Sequence, residues 1–349
     1  MLLTLVLPRN RPLISGGNLY NDRLADALAA HVSVRIVDPP GWLTGHMSGH
    51  VSGSWALVDS LCLAAVPDYL ASCAEPARVL LLAHLLPSHD PAGADPARLA
   101  LERQVLQAVD GVLATGEYGR AIVRACLVDE ARIVTVPPAL SWSDDALADV
   151  PGRGADGPAR ALLVGNIIPV KGFLGFLRAL DARLDPSDTL AIDIVGPADI
   201  DPAYAQACTI FANSSTVLAP RVHFHGPVAH ADMPGFYRRA SVFVSSSRVE
   251  TFGMALQEAR RVGVPVLARR GGNAAAHVPG PEVGALYDDV DGLADGLLAL
   301  VRAPIRLAAL RKSARAARLL AGYTWADAAR SLLDQLQRVP VRAACSRPE

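Results

Sequence analysis

The apolar positions of this chain fall in short runs separated by longer amphipathic stretches, an alternation that pairs buried strands with covering helices. Leu2–Leu7 suits a buried parallel strand, and a helical period follows from Leu19 to Ala30. Val32–Val37, Trp55–Ser60, Val79–Ala83, Asp110–Thr115 and Arg132–Val136 predict further strands. Helices are expected over Leu99–Ala108, with Glu102 and Arg103 on its polar face, and over Glu117–Ala125. The span Trp42–Gly53, bearing Gly, Ser and His, reads as a long loop, and Trp142–Arg160, rich in Asp, Gly and Pro, as a linker.

The alternation then repeats. Ala161–Val164, Leu190–Val195 and Arg221–His225 predict strands, and Phe173–Arg183, Asp232–Arg239, Asp291–Val301, Ile305–Leu320 and Trp325–Gln337 predict helices, with Phe236 and Tyr237 as core. The clearest passage is Ala240–Ala268. A β-branched and aromatic strand, Ser241–Ser245, gives way to a loop, Ser246–Glu250. Gly253–Val262 then carries apolar residues at Met254, Ala255, Ala259 and Val262, a helical period that Gly263 and Pro265 stop before the strand Val264–Ala268.

In open parallel sheets the carboxyl end of a strand and the start of the next helix are aimed into the crevice where ligands bind. Thr251–Met254 therefore sits at a helix N-terminus, whose unpaired N–H groups and partial positive charge suit phosphate. Glu250 precedes that terminus, and Glu258 lies about two turns later on roughly the same side. Taken singly, Glu250 is an ordinary N-terminal helix charge and Glu258 a solvated surface residue. The small and apolar residues after Glu258, and the entry to a buried strand through Gly263-Val264-Pro265, argue against that bland reading.

Length and composition then change the picture. At 349 residues the chain exceeds one average domain, and two α/β domains, 1–140 and 161–322 joined by a linker at 141–160, are the natural division. An apolar content of 51% suits large buried parallel sheets. A net charge of −1 gives no whole-chain attraction to nucleic acid. The longest apolar runs, such as Val79–Leu86, are too short to span a bilayer, and Met1–Leu7 has no basic n-region, so a cytoplasmic protein is expected. Peripheral membrane contact through one face stays open. Cys62, Cys73, Cys126, Cys208 and Cys345 form no CxxC pair and read as incidental thiols.

Four further places carry candidate chemistry. Gly16-Gly17 lets backbone approach a ligand just before a helix start, although plain turn glycines are commoner than a lone functional pair. His84 follows a strand directly, where a histidine is more often structural than catalytic. Lys171 is one of only two lysines in an arginine-rich chain, the other being Lys312, and it stands between a strand end and a helix start. A compact ammonium charge there suits a phosphate, against the plainer reading of a solvated loop lysine. His223 and His225 share a strand face, but no third ligand stands nearby in sequence, so no metal site is assigned.

The run Ser247-x-x-Glu250-Thr251-Phe252-Gly253-x-x-x-x-Glu258-Ala259-x-x-x-Gly263-x-Pro265-Val266 resembles the signature of the family-4 retaining glycosyltransferases, with a C-terminal domain like that of glycogen synthase. Gly165-Asn166-Ile167-Ile168-Pro169-Val170-Lys171-Gly172 resembles the same family's G-R-x-x-x-x-K-G, departing at Asn166. That change removes one fixed cation, on the order of 1–3 kcal/mol of phosphate binding unless another group replaces it. The resemblance covers the C-terminal half well and the N-terminal half thinly.

The resemblance implies a GT-B fold: two facing, doubly wound Rossmann-like α/β domains with the segment 323–349 carrying a C-terminal helix that crosses back to the first. It implies transfer of a sugar, with retention, from a nucleoside diphosphate sugar to the hydroxyl of a small-molecule or glycan acceptor, without cofactor or metal. It places Gly16 and Gly17 against the donor diphosphate, Lys171 beside it, and Gly226 and Val228 beside the base. Glu250 would accept from the donor sugar's hydroxyls, Glu258 from the ribose hydroxyls, and His84 would contact the sugar near the reacting carbon. Asn166, Thr251, Phe252, Gly253 and Met254 complete the donor site, with His84, Lys171 and Glu250 as its catalytic members. A GT-B epimerase or phosphorylase, a non-catalytic sugar-nucleotide-binding protein and an enzyme coupling a cyclitol remain as alternatives. The donor base, the donor sugar, the acceptor and the oligomeric state are left open.

Overall fold

A computed structural model of the chain describes residues 1–8, 15–45, 54–73, 76–89, 95–126, 128–144, 147, 157–320 and 322–340. It divides into two compact units, one of Met1–Arg11, Tyr20–Ala139 and Tyr323–Glu349, the other of Pro12–Leu19 and Leu140–Gly322. Each holds one six-stranded sheet.

In the first unit, β1 (Leu2–Val6), β2 (Ser33–Val37), β3 (Trp55–Asp59), β4 (Arg78–Leu82), β5 (Gly111–Ala114) and β6 (Ile133–Thr135) run in the order β2-β1-β3-β4-β5-β6, every pair parallel. A parallel sheet is covered on both faces. β3 accordingly buries all five residues, whereas β2 lies at an edge and leaves Ile36 half exposed. The helix Gly16–Ala29 starts three residues earlier than the apolar period suggests, because Ser15 Oγ accepts from Asn18 N and caps it. Gly16 and Gly17 are thus the first turn of a helix and not a loop before one.

Two other expectations change. Trp42 belongs to a helix, Pro39–Gly45, in which Asp38 Oδ1 accepts from Gly41 N, and its ring stacks on Tyr69 at 3.9 Å. The remainder of the expected loop, 46–53, lies outside the described residues. Glu102 is buried and not on a polar face, since its carboxylate accepts from Ser88 N at 2.8 Å and Ser88 Oγ at 2.5 Å. The C-terminal helix Trp325–Arg338 does belong to the first unit. Gln335 completes the open edge of β6 by accepting from Thr135 N and donating to Thr135 O, and Trp325 meets Tyr20 edge-on at 5.5 Å.

In the second unit, β7 (Ala159–Val164), β8 (Leu190–Val195), β9 (Val222–Phe224), β10 (Val242–Ser245), β11 (Val266–Arg269) and β12 (Gly284–Tyr287) run in the order β12-β11-β10-β7-β8-β9, again parallel throughout. Phe173, Phe176, Leu177 and Leu180 of the helix Phe173–Asp181 pack on one face of the sheet, and Tyr237, Leu256 and Ala259 on the other. The expected linker is not polar at its start. Trp142 and Leu147 are core residues of this unit, and the fully buried Arg261 donates to the carbonyls of Trp142 and Leu319.

Of the five cysteines, Cys62, Cys73 and Cys208 are buried and Cys126 half-buried, all as free thiols. Cys345 lies outside the described residues. No described helix is long and apolar enough to cross a membrane.

His89 gives the first unit an acid-sensitive point. Its Nδ1 accepts from Leu86 N, while Nε2 is buried with no partner, and burial pushes its pKa from 6.5 to about 4. Between those values the unfolded chain binds a proton that the folded chain refuses, so stability is complete above pH 6.5 and falls as pH drops toward 4. The loss expected from this group is about 3 kcal/mol. His84 and His277, whose pKa values burial also lowers, act with the same sign. Chemical denaturation between pH 7 and 4.5 should show the decline, and His89→Gln should flatten it; an equal slope in the variant would remove His89 as its cause.

Candidate functional site

Two of the candidate residues, Lys171 and Glu250, meet where β7 and β10 end side by side. After β7 the chain turns at Gly165 and makes a short 3-10 turn, Pro169–Lys171, before Gly172 starts the next helix. Gly172 has φ +70°, and a side chain there would meet Ser246 O at 2.4 Å, so only glycine lets this loop lie against the one that follows β10. Ser246 Oγ donates to Lys171 O at 2.7 Å and Arg248 N to Val170 O at 2.8 Å, which stitches the two loops together.

That stitching brings Lys171 to Glu250. Lys171 Nζ lies 2.7 Å from Glu250 Oε1, and Ser247 Oγ donates to the same oxygen at 2.5 Å. Both side chains keep some exposure, 23% and 14%, so the pair is reachable from solvent. The lysine stem runs over Gly165, whose lack of a side chain leaves the path free.

The turn from Glu250 to Gly253 is fixed from a third strand end, that of β11. Glu250 bridges to Gly272, Asn273 N donates to Glu250 O at 2.7 Å, and Phe252 O accepts from Asn273 Nδ2 at 2.8 Å and His277 Nε2 at 2.7 Å. Gly253, at φ +89°, leads into the helix Met254–Val262, and no side chain caps that helix start. Gly16 lies beside it, since a side chain at Gly16 would be 3.6 Å from Met254 Sδ.

Glu258 is not a surface residue. It is 5% exposed; Oε1 accepts from Ser141 Oγ at 2.9 Å and His230 Nε2 at 3.0 Å, and Oε2 from Tyr237 OH at 2.8 Å. Trp142 stacks on His230 at 4.9 Å and closes over the cluster. Three of the roughly four lone-pair positions of the carboxylate thus face protein donors. Burial, with Glu258 alongside, holds the Tyr237 hydroxyl well above its ordinary pKa of 10.

The remaining candidates of this unit lie along the ends of the neighbouring strands. Gly196 N donates to Gly226 O, and a side chain at Gly196 would strike Gly165 O at 2.0 Å, so Gly165, Gly196 and Gly226 abut across the ends of β7, β8 and β9. Asn166 follows Gly165 and is half-buried, as is Val228, which packs on the core. A side chain at Gly226 would meet nothing within 4 Å. His225 pairs with Asp193 at 2.8 Å, and Arg160 takes the other oxygen of that carboxylate, so of the two histidines His225 is tied to an ion pair at the sheet edge, while His223 is exposed. Among the described residues no three His, Cys, Asp or Glu side chains gather as a metal site.

His84 belongs to the first unit, directly after β4. Its Nε2 is 2.8 Å from Asn21 Oδ1, and Tyr20 packs against the ring at 5.1 Å. Sequence reasoning passed over Ser246 and His277, which brace the Lys171–Glu250 turn, and Ser141 and His230, which hold Glu258; Ser247 stood in the signature and Tyr237 among the core residues, but neither was read as a carboxylate support. The three serines that end β10 were visible, but nothing in their spacing tells a strand terminus from a carboxylate support.

Residues 158–303 match the model of the family described as Glycosyl transferases group 1. A D-inositol 3-phosphate glycosyltransferase of Rhodococcus jostii is 33% identical over 258 residues, covering 70% of this chain and 56% of that protein. One of Kineococcus radiotolerans is 30% identical over 280 residues, covering 73% and 62%. The chain thus spans little more than half the length of such relatives. Among solved structures, the sucrose-phosphate synthase of Thermosynechococcus elongatus superposes with a TM-score of 0.74 at 20% identity, covering 97% of this chain and 98% of that one. HepE of Anabaena, solved with UDP and glucose, superposes at 0.72 and 14% identity over 97% and 99%. Residues 158–303 thus match the glycosyl transferases group 1 model, and the chain has the GT-B fold that those likenesses show.

Proposed function

We propose that this chain transfers a sugar from a nucleoside diphosphate sugar to an acceptor hydroxyl, with retention at the anomeric carbon. The observation that carries the reading is the Lys171–Glu250 pair, 2.7 Å apart at the foot of a helix that no side chain caps. A departing diphosphate gains negative charge as the bond to the sugar breaks. Catalysis therefore calls for fixed positive groups where that charge appears. Lys171 and the N–H groups of Phe252, Gly253 and Met254 are such groups, and Gly16 and Gly17 let backbone approach them.

In this reading the ion pair is the resting state of the site. The diphosphate replaces Glu250 as the partner of Lys171, and the freed carboxylate turns to the hydroxyls of the donor sugar. Glu258, with one lone-pair position left, takes a ribose hydroxyl while its three protein donors hold it still. Asn166 supplies a neutral amide where an arginine would add charge, so donor affinity leans more heavily on Lys171. The names of the relatives put an inositol phosphate among the first acceptors to try.

Calorimetric titration of the protein with UDP, GDP and ADP, followed by the sugar conjugates of whichever binds, tests the reading. One diphosphate should bind at micromolar to low millimolar concentration, and the anomeric configuration of the product should match that of the donor by NMR. Failure of all three to bind at 10-fold higher concentration, or an inverted product, would sink it.

A further inference from the structure

The network around His84 in the first unit is built on residues to which no role has been given. Asn21 is completely buried in the helix Gly16–Ala29, Asp59 is 2% exposed at the end of β3, and His84 follows the neighbouring strand β4. Asp59 Oδ1 accepts from Leu61 N at 2.8 Å, and its Oδ2 receives Asn21 Nδ2 at 2.6 Å. Asn21 Oδ1 is 2.8 Å from His84 Nε2, and Asp59 Oδ2 stands 3.9 Å from that nitrogen.

The orientation of each group follows from what its neighbour can offer. A carboxylate only accepts, so Asn21 must turn its NH2 toward Asp59. Its carbonyl oxygen then faces the imidazole, and a carbonyl oxygen also only accepts. His84 Nε2 must therefore carry a proton, and in the neutral ring the lone pair is left on Nδ1. No described residue bonds to Nδ1, and the ring keeps 13% exposure. We propose that Asn21 and Asp59 are positioning residues that hold His84 as the Nε2–H tautomer, so that Nδ1 accepts a hydrogen bond from a substrate hydroxyl. Burial, which lowers the pKa of His84, acts in the same direction by keeping the ring neutral. This rests on the transferase reading for its substrate, but the tautomer does not.

Two buried polar groups were available to do otherwise. Were Asp59 an asparagine, its oxygen could keep the Leu61 N–H and its NH2 would face Asn21, which would then reverse. The Asn21 NH2 would point at His84 Nε2 and move the ring proton to Nδ1. A merely structural network would tolerate that isosteric exchange without altering the ring.

Long-range 1H–15N correlation on histidine-labelled protein reads the tautomer directly. Wild-type His84 should show the Nε2–H pattern at neutral pH, and Asp59→Asn should show Nδ1–H. In transfer assays Asp59→Asn should lower kcat about 10- to 100-fold, with donor KM little changed. A wild-type ring protonated on Nδ1 would overturn the proposal even if no variant folds. So would an Asp59→Asn protein with unaltered tautomer and turnover. If the wild type shows the Nε2–H pattern but transfers no sugar, the transferase reading fails and the positioning network stands.

Discussion

Lys171→Ala is expected to lower kcat for sugar transfer by about 100- to 1,000-fold, the scale seen when one fixed donor to a developing charge is removed. The fold should survive. Lys171 is partly exposed, and its loss leaves Glu250 bound to Ser247 Oγ and free to meet water, so the change in stability should stay within about 1 kcal/mol. Lys171→Arg should not restore the rate. A planar guanidinium is longer than an ammonium, and the stem is threaded over Gly165 toward a single oxygen of Glu250. Glu250→Gln separates the two members of the pair: it removes the competitor for Lys171, so nucleoside diphosphate affinity should rise or hold while turnover of the sugar donor falls. Transfer rates, calorimetric nucleotide affinities and melting curves on the three variants check this together. A Lys171→Ala enzyme with a rate near that of the wild type would end the assignment of the site.

Much of this site was legible because a parallel sheet turns linear pattern into geometry. A buried strand, a break and a helical period at 241–262 place the residues of the break at the carboxyl edge, and Glu250 and Gly253 are found there. Lys171 was legible by the same logic at the end of β7. What the sequence could not convey was which loop residues touch across strands that are far apart in the chain. Ser246 reaches Lys171 across 75 positions and His230 reaches Glu258 across 28, and neither contact has a periodicity. The misplaced elements were decided by caps and burial. Ser15 and Asp38 begin helices earlier than hydrophobicity alone allows, and Glu102 is buried because Ser88 meets it, although its type and helical position suggest solvent.

Glu258→Ala should give the largest loss of stability among the site residues, about 3 kcal/mol, because it strips the acceptor from three buried or half-buried donors at once. For a unit of this size that corresponds to roughly 6–12 °C in melting temperature. The hydroxyls of Ser141 and Tyr237 would be left facing a cavity, and the stack of Trp142 on His230 would lose the anchor beneath it. Ser141 and Trp142 also sit where the chain enters the second unit, and Arg261 already holds the Trp142 carbonyl. The damage should therefore reach the residues around 141–147 as well as the helix Met254–Val262, and hydrogen exchange should quicken in both. Glu258→Gln keeps the volume and one acceptor oxygen, so it should lose about half as much stability. Its effect on turnover then separates two roles. If Glu258 serves only as a brace, Gln should keep most of the rate; if its remaining lone pair takes a ribose hydroxyl, donor KM should rise in the Gln variant while kcat changes little. A Glu258→Ala protein that melts within 2 °C of wild type would mean that water satisfies the three donors, and the cluster would then not be what holds this end of the site.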